Sequence, residues 1–268
     1  MDHHPRTVIF VHGLWLHPLS WRPWEERFTR AGYRTLAPGW PGVADTVEAT
    51  RADPDALAGQ GIDDVAAHYA AVIATLDAPP VLVGHSFGGV VAEKLLGQGL
   101  AAGAVAVDAA QIKGVLALPL SALRATFSVL RNPANRDRAR SLTAEQFRYG
   151  FGNAIPAEES DDLYARWAIP APGRPLFEAA TATLHADSPD AVDTGADRGP
   201  LLLVGGGRDH TVPTAVTRST LKQYRGSPSV TDLVEFPDRG HSLVVDHGWP
   251  EIADTALAWL EKNGLGPR

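Results

Sequence analysis

The run Gly84-His85-Ser86-Phe87-Gly88 fits the G-x-S-x-G pattern, with the apolar strand-like run Val81-Leu82-Val83 before it and a helical run from Val90 to Leu96 after it. In that context the serine sits on a sharp turn whose neighbours must lack side chains. The helix behind it points free N–H groups and a positive dipole at any oxyanion formed there. A serine hydroxyl is a weak nucleophile unless a base reaches it. Of the ten histidines, His241 in Gly240-His241-Ser242 follows the last strand-like run by a short loop, which puts it at the same sheet edge as Ser86. His210 directly follows an acid and reads as its neighbour. His12 and His17 lie near the end of the first strand, and His85 lies within the serine turn. His3, His4, His68, His185 and His247 read as surface or capping residues, with His3 and His4 in a loose terminus. A base needs an acid to fix its tautomer. Asp209, after the glycine turn Gly205-Gly206-Gly207-Arg208, is favoured, and Asp108, at the end of an earlier strand, is its competitor. Asp238 belongs to the loop that presents His241. A set of this kind transfers acyl groups through the serine.

Six apolar, β-branched runs can position these residues, beginning at Thr7, Tyr33, Val81, Ala104, Leu201 and Val230. Helical spacing appears at residues 21–31, where Trp21, Trp24 and Phe28 share a face, and from Ile62 to Leu76. It returns from Pro213 to Tyr224 and from Glu251 to Lys262. Residues 38–61 read as a loop with one helical turn at most. Alternating strands and helices, with strands apolar on both faces, predict a parallel sheet covered by helices, with ligands at the carboxyl ends of its strands. Residues 111–199 break the alternation: only helical segments are predicted there, at Ser121–Leu130, Thr143–Tyr149, Ala157–Trp167 and Leu176–Leu184. Their aromatics supply apolar surface for a separate layer. This insertion is expected to leave the carboxyl edge and return to it, as a lid.

The chain of 268 residues has no cysteine, which removes disulfides, thiolate metal sites and cysteine nucleophiles. A formal charge of −7, without a Lys/Arg cluster, argues against a nucleic-acid partner. No apolar run approaches the roughly 18 residues that span a bilayer, and no leader pattern opens the chain. A cytoplasmic protein is expected.

The segments Phe10-Val11-His12-Gly13, Gly84-His85-Ser86-Phe87-Gly88-Gly89, Gly207-Arg208-Asp209 and Gly240-His241 together resemble the α/β-hydrolase superfamily. The resemblance covers residues 1–110 and 200–268 as the core, with 111–199 where that family inserts a helical lid after what is here the fourth strand. It implies the α/β-hydrolase fold, starting almost at the family's third strand and so keeping a sheet of about six, mostly parallel. It also implies an oxyanion hole of the His-Gly-X type, made by the backbone N–H groups of Leu14 and Phe87. Trp15, Leu16, Trp21 and Trp40 are pocket candidates, each more readily explained as core. The function implied is a cofactor-independent, metal-independent serine hydrolase acting on a small to medium, partly apolar carboxylic ester. Lactonases, thioesterases, C–C hydrolases, perhydrolases and lyases use the same triad, and some members of the fold are non-catalytic receptors. The partner expected is a small acyl substrate, and the surfaces leave room for homo-oligomers.

Overall fold

The computed structural model describes residues 5–117, 119–185 and 187–267; His3 and His4 lie outside them. Strand β1 (Thr7–Val11) leads through helix α1 (Arg22–Arg30) to β2 (Arg34–Leu36). Helices α2 (Val47–Ala52) and α3 (Ile62–Ile73) precede β3 (Val81–His85), α4 (Phe87–Gly97) and β4 (Gly103–Val107). An insertion carries α5 (Leu120–Leu130), β5 (Ala139–Arg140), α6 (Ala144–Gly150), α7 (Ala157–Trp167), β6 (Ala171–Pro172) and α8 (Arg174–Thr181). The chain then closes with β7 (Leu201–Gly206), α9 (Thr214–Gln223), β8 (Thr231–Phe236) and α10 (Trp249–Lys262).

Six strands form one parallel sheet in the order β2-β1-β3-β4-β7-β8. The period-two alternation of the strands sorts their side chains into two cores. On one face Val8, Phe10, Val81, Val83, Val105, Val107, Leu202 and Val204 meet Trp24 and Phe28 of α1 and Ile252, Ala256 and Leu260 of α10. On the other face Ile9, Val11, Leu82, Ala104, Ala106, Leu201 and Leu203 meet α3 and α4, and the same apolar cluster continues into α6, α7 and α8. From β1 the chain steps outward to β2, then crosses back to β3 and proceeds the other way. The reversal between β1 and β3 opens a crevice at their carboxyl ends, where a doubly wound sheet binds ligands.

The structure corrects several sequence expectations. Helix α4 starts at Phe87, three residues earlier than its apolar spacing indicates, because Gly88 and Gly89 carry no side chain to mark a face. The 38–61 loop holds the six-residue α2, started by the Thr46 hydroxyl accepting from Ala49 N–H at 3.1 Å. The insertion is not purely helical: β5 and β6 pair antiparallel, Ala139 opposite Pro172, as two-residue strands too short to show periodicity. The insertion leaves the carboxyl edge but does not return to it. Pro200 sits at the start of β4, its carbonyl accepting from Ala104 N–H at 3.0 Å. A parallel β7 can only be entered from its amino end, so residues 187–200 run back down the sheet.

One buried acid in this scaffold is held away from its ordinary state. Glu93 of α4 is fully buried, with the Tyr224 hydroxyl donating to Oε2 at 2.7 Å and Oε1 without a partner among the described residues. Burial raises its pKa from 4.5 to about 7, against the opposing pull of Tyr224 and Arg198. The folded chain therefore keeps this proton over a range where the unfolded chain has lost it. Stability from this group is full below pH 4.5 and declines as pH rises towards about 7. Glu93→Gln should remove that decline. Between pH 5 and pH 8, wild type should lose about 2 to 3 kcal/mol relative to the variant in urea unfolding.

Candidate active site

Ser86 stands between β3 and α4 with φ 55° and ψ −123°, a left-handed conformation rare for a side-chain-bearing residue. The glycines around it explain why the chain accepts this strain. A Cβ on Gly84 would lie 2.1 Å from Gly88 O, and one on Gly88 would lie 2.2 Å from Val11 O. The start of α4 thus rests directly on the backbone of β1 and β3. Ser86 N–H donates to Val107 O at 3.0 Å, and its carbonyl accepts from Gly89 and Ala110 N–H groups at 2.9 and 3.1 Å.

His241 and Asp209 arrive from the loops after β8 and β7. His241 Nε2 is 3.1 Å from Ser86 Oγ, and its Nδ1 is 2.6 Å from Asp209 Oδ2. An ionised carboxylate only accepts, so Nδ1 carries the proton and Nε2 is left to accept from the serine hydroxyl. Asp209 Oδ1 accepts from the N–H groups of Thr211 at 2.6 Å and Val212 at 2.9 Å. Three donors therefore hold one carboxylate. All three side chains are buried, Ser86 and Asp209 at 4% exposure and His241 at 0%. Of the residues singled out from the sequence, Ser86, His241 and Asp209 are joined in this hydrogen-bonded chain.

Two further histidines, read from sequence only as neighbours, fix the surroundings. Trp40 N–H donates to His12 Nε2 at 3.0 Å, so Nδ1 must bear the proton and donate to Gly13 O, 2.8 Å away. Burial lowers its pKa to about 3, so His12 is neutral. His85 Nε2–H donates to the His241 carbonyl at 3.0 Å, anchoring His241 through its backbone. Burial, and then the neighbouring His241, holds His85 well below the ordinary histidine range. Burial thus keeps both histidines uncharged. Either proton position could be deduced only from the tertiary partner on the other nitrogen.

His12 pins the turn that carries Gly13 and Leu14. A Cβ on Gly13 would lie 2.7 Å from Ser86 Cβ, so this turn packs on the serine itself. Trp15, with φ 66°, completes the turn. Leu14 N–H and Phe87 N–H make no hydrogen bond among the described residues, and Phe87 is the first residue of α4, where such N–H groups have no helical acceptor. Of the four pocket candidates, only Trp15 lines the cavity beside Ser86. Trp40 stacks on His12 at 5.4 Å, Leu16 is core, and Trp21 packs on Phe10 on the opposite face of the sheet.

Asp108 also reaches the cluster. Its Oδ1 accepts from Gly206 N–H at 2.6 Å, and its Oδ2 lies 4.0 Å from His241 Nδ1. It is not the hydrogen-bonded acid of His241; Asp209 is. Donor atoms of Asp108, Asp209 and His241 lie within 4.8 Å of one another, the spacing of a metal site. Here, however, His241 Nδ1 and Asp209 Oδ2 bond each other, so a cation would have to break that hydrogen bond to bind.

The cavity at Ser86 is about 90 Å³ and mainly apolar, walled by Trp15, Phe87, Leu123, Leu130, Leu176 and Val212. A larger groove of about 480 Å³ beside Arg136, Glu178 and His185 does not touch Ser86. Leu123, Leu130 and Leu176 come from the insertion, so two separated parts of the chain build the cavity.

The end of α6 and the residues that follow it tie down the loops that carry Asp209 and His241. Tyr149 O pairs with His210 Nδ1 at 3.1 Å, and Gly150 O accepts from the Thr211 hydroxyl at 2.8 Å. Phe151 O accepts from Ser242 N–H at 3.2 Å, and Asn153 Nδ2 donates to Arg208 O at 2.6 Å. The Phe151 ring stands edge-on to His241, centroids 4.8 Å apart, and stacks on Phe147 at 4.8 Å. From sequence, Phe151 reads only as apolar lid surface; no local pattern distinguishes it.

With this fold and geometry in hand, the class is defined: the sequence profile of the Alpha/beta hydrolase family matches residues 8–255, and the chain belongs to that family. A search of curated proteins found no match. Among solved structures, the chain is similar to an extracellular α/β-hydrolase from a Paenibacillus species, itself described as sharing homology with tobacco salicylic acid binding protein 2. The TM-score is 0.70 at 17% identity over 95% of this chain and 98% of that one. A Paleococcus ferrophilus monoacylglycerol lipase matches at 0.68 and 18%, over 96% and 94% of the two chains. An Arabidopsis methylesterase matches at 0.65 and 15%, over 96% and 99%. At these identities the likeness is one of fold.

Phe151→Ala should free the His241 ring while leaving the pocket wall intact. We expect kcat on an activated ester to fall by about tenfold to a hundredfold with KM nearly unchanged, and Phe151→Leu to recover part of the loss. Steady-state kinetics on the three proteins test this.

Proposed function

We propose that this protein is a serine hydrolase that cleaves a carboxylic ester with a small to medium, partly apolar acyl group, through an acyl-enzyme. The observation that carries the reading is the buried hydrogen-bonded chain Ser86–His241–Asp209 beside a turn with unengaged N–H groups. Ser86 Oγ attacks the ester carbonyl as His241 Nε2 takes its proton. The oxyanion is held by Leu14 and Phe87 N–H groups, each worth about 3 kcal/mol of transition-state stabilisation. Asp209 stabilises the imidazolium and does not take its proton. His241 then protonates the leaving alcohol, and later deprotonates the water that releases the acid. No step calls for a metal or organic cofactor.

Residues 111–199 act as the lid over a core of 1–110 and 200–268. Leu123 and Leu130 of α5 wall the cavity, while Leu120 and Phe127 of the same helix are exposed. Residues 149–153, bonded to both catalytic loops, form its fixed part, leaving α5 as the part free to move. A cavity of about 90 Å³ falls below the several hundred Å³ of a site for a drug-sized ligand, which favours short acyl groups.

The test is a burst assay with p-nitrophenyl acetate, butyrate and octanoate. Wild type should show a burst and prefer acetate and butyrate. Ser86→Ala should lose the burst and about a millionfold in kcat, and Asp209→Asn about ten thousandfold. Full turnover by Ser86→Ala would overturn the mechanism. Absence of turnover on every ester, with tight binding of a small apolar ligand, would replace it with a receptor.

A further inference from the structure

Asp108 is fully buried and sits on a strained backbone, φ 41°, at the carboxyl end of β4. Its Oδ1 is engaged by Gly206 N–H, while Oδ2 has no partner among the described residues and faces the Asp209–His241 pair. As a carboxylate, that oxygen would be a buried acceptor with no donor, against a second carboxylate. As a carboxylic acid, it is a donor, and the Asp209 carboxylate, with an oxygen within 4.8 Å of Asp108, is the acceptor available to it. The two acids differ in a way that decides where a proton goes: Asp209 receives three hydrogen bonds, from Thr211, Val212 and His241, and Asp108 receives one. Donors to the charged form favour ionisation, so the negative charge belongs on Asp209.

We propose that Asp108 carries a proton and donates it in a hydrogen bond to Asp209, so that the two carboxyls hold one negative charge between them. Asp108 is then a positioning residue: it acts on His241 through Asp209 and touches no substrate. This rests on the serine-triad reading for its consequence in catalysis, but not for the location of the proton. Other groups around Asp108 agree. Burial, then Asp209, then the more distant Asp246 all push its pKa well above the ordinary carboxyl range, with Gly206 N–H the one opposing contact. His85, packed on His241 at 4.6 Å, is itself neutral and adds no compensating cation. The remaining cation near Asp246, Arg239, is directed at Asp246 and Glu251. One charge beside the imidazole is what a base needs if it is to return its proton; two would hold the imidazolium.

Asp108→Asn is the informative substitution, since its amide reproduces both the acceptor for Gly206 and the donor for Asp209 without a titrating proton. If Asp108 is already neutral, the acid limb of the pH dependence of kcat/KM should stay within about 0.3 unit of wild type, with kcat reduced less than about fivefold. If Asp108 is an anion, removing its charge 4.0 Å from the imidazole should move that limb to lower pH by about one to three units, which would overturn the proposal. Asp108→Ala, lacking the donor, should lose about tenfold to a hundredfold in kcat with KM little changed, and the Asn variant should rescue it. An alanine variant as active as wild type would also overturn the positioning role. Infrared spectra of protein labelled with ¹³C only at aspartate carboxyls test the proton directly, whatever the variants do to folding or activity. Wild type should show a protonated-carboxyl C=O band at pH 7 that is missing in Asp108→Asn and kept in Ser86→Ala. No such band in wild type, or one that survives Asp108→Asn, rejects the proposal. Full activity in Ser86→Ala would instead reject the triad reading and leave the infrared result standing.

Discussion

A Cβ atom at Gly84 would stand 2.1 Å from Gly88 O, one at Gly88 2.2 Å from Val11 O, and one at Gly13 2.7 Å from Ser86 Cβ. At three points around the serine only a hydrogen atom fits between backbones. That close meeting of β1, β3 and α4 is what makes the turn sharp and drives Ser86 to φ 55°. Strain of this kind costs roughly 1–3 kcal/mol, and it persists because β1, β3 and β4 are buried on both faces of the sheet. It raises the hydroxyl into the crevice between β1 and β3 and places the first N–H of α4 beside it. The Gly13–Leu14 turn packs against the serine for the same reason. Any side chain in this layer would force α4 away and separate the hydroxyl from both N–H groups.

Around that layer the site is built from groups whose charge is settled by burial and by backbone partners. His12 and His85 each use one nitrogen on a carbonyl and are kept neutral by desolvation. Asp209 is ringed by donors, whereas Asp108 is nearly without them. Charge is thus concentrated on one carboxylate, in surroundings where an uncompensated second charge would be costly. In the mechanism proposed, this neutral frame surrounds the one imidazole that exchanges a proton.

The insertion does two mechanically different things. Its 149–153 segment is hydrogen-bonded to the loops after β7 and β8, and Phe151 packs on the His241 ring. Its α5 helix walls the cavity and exposes Leu120 and Phe127 on its outer side. Moving the whole insertion would pull on the loops that carry Asp209 and His241. The continuous apolar cluster from the sheet through α6, α7 and α8 holds the rest in place.

Much of this was legible in the residues. Short apolar runs mark the inner strands β1, β3, β4 and β7, since strands buried on both faces must be apolar, whereas the edge strands β2 and β8 are only partly buried and carry polar residues. The order Ser86, Asp209, His241 follows because each side chain lies within a few residues of a strand's carboxyl end, and parallel strands align those ends. Other features were not legible, because they depend on which atoms approach from distant parts of the chain. The proton positions on His12 and His85 are set by Trp40, Gly13 and His241. The two-residue strands β5 and β6 exist only through each other. Phe151 gains its role by meeting a histidine 90 positions away, and the return of the insertion along the sheet is imposed by the direction in which β7 must run. Which residues can do chemistry, and which strand ends carry them, was therefore determined by the sequence through local pattern alone. The sequence favoured Asp209 over Asp108, but which of the two meets His241 was decided only by tertiary structure, because that turns on which carboxyl the folded loops bring within hydrogen-bonding distance of Nδ1.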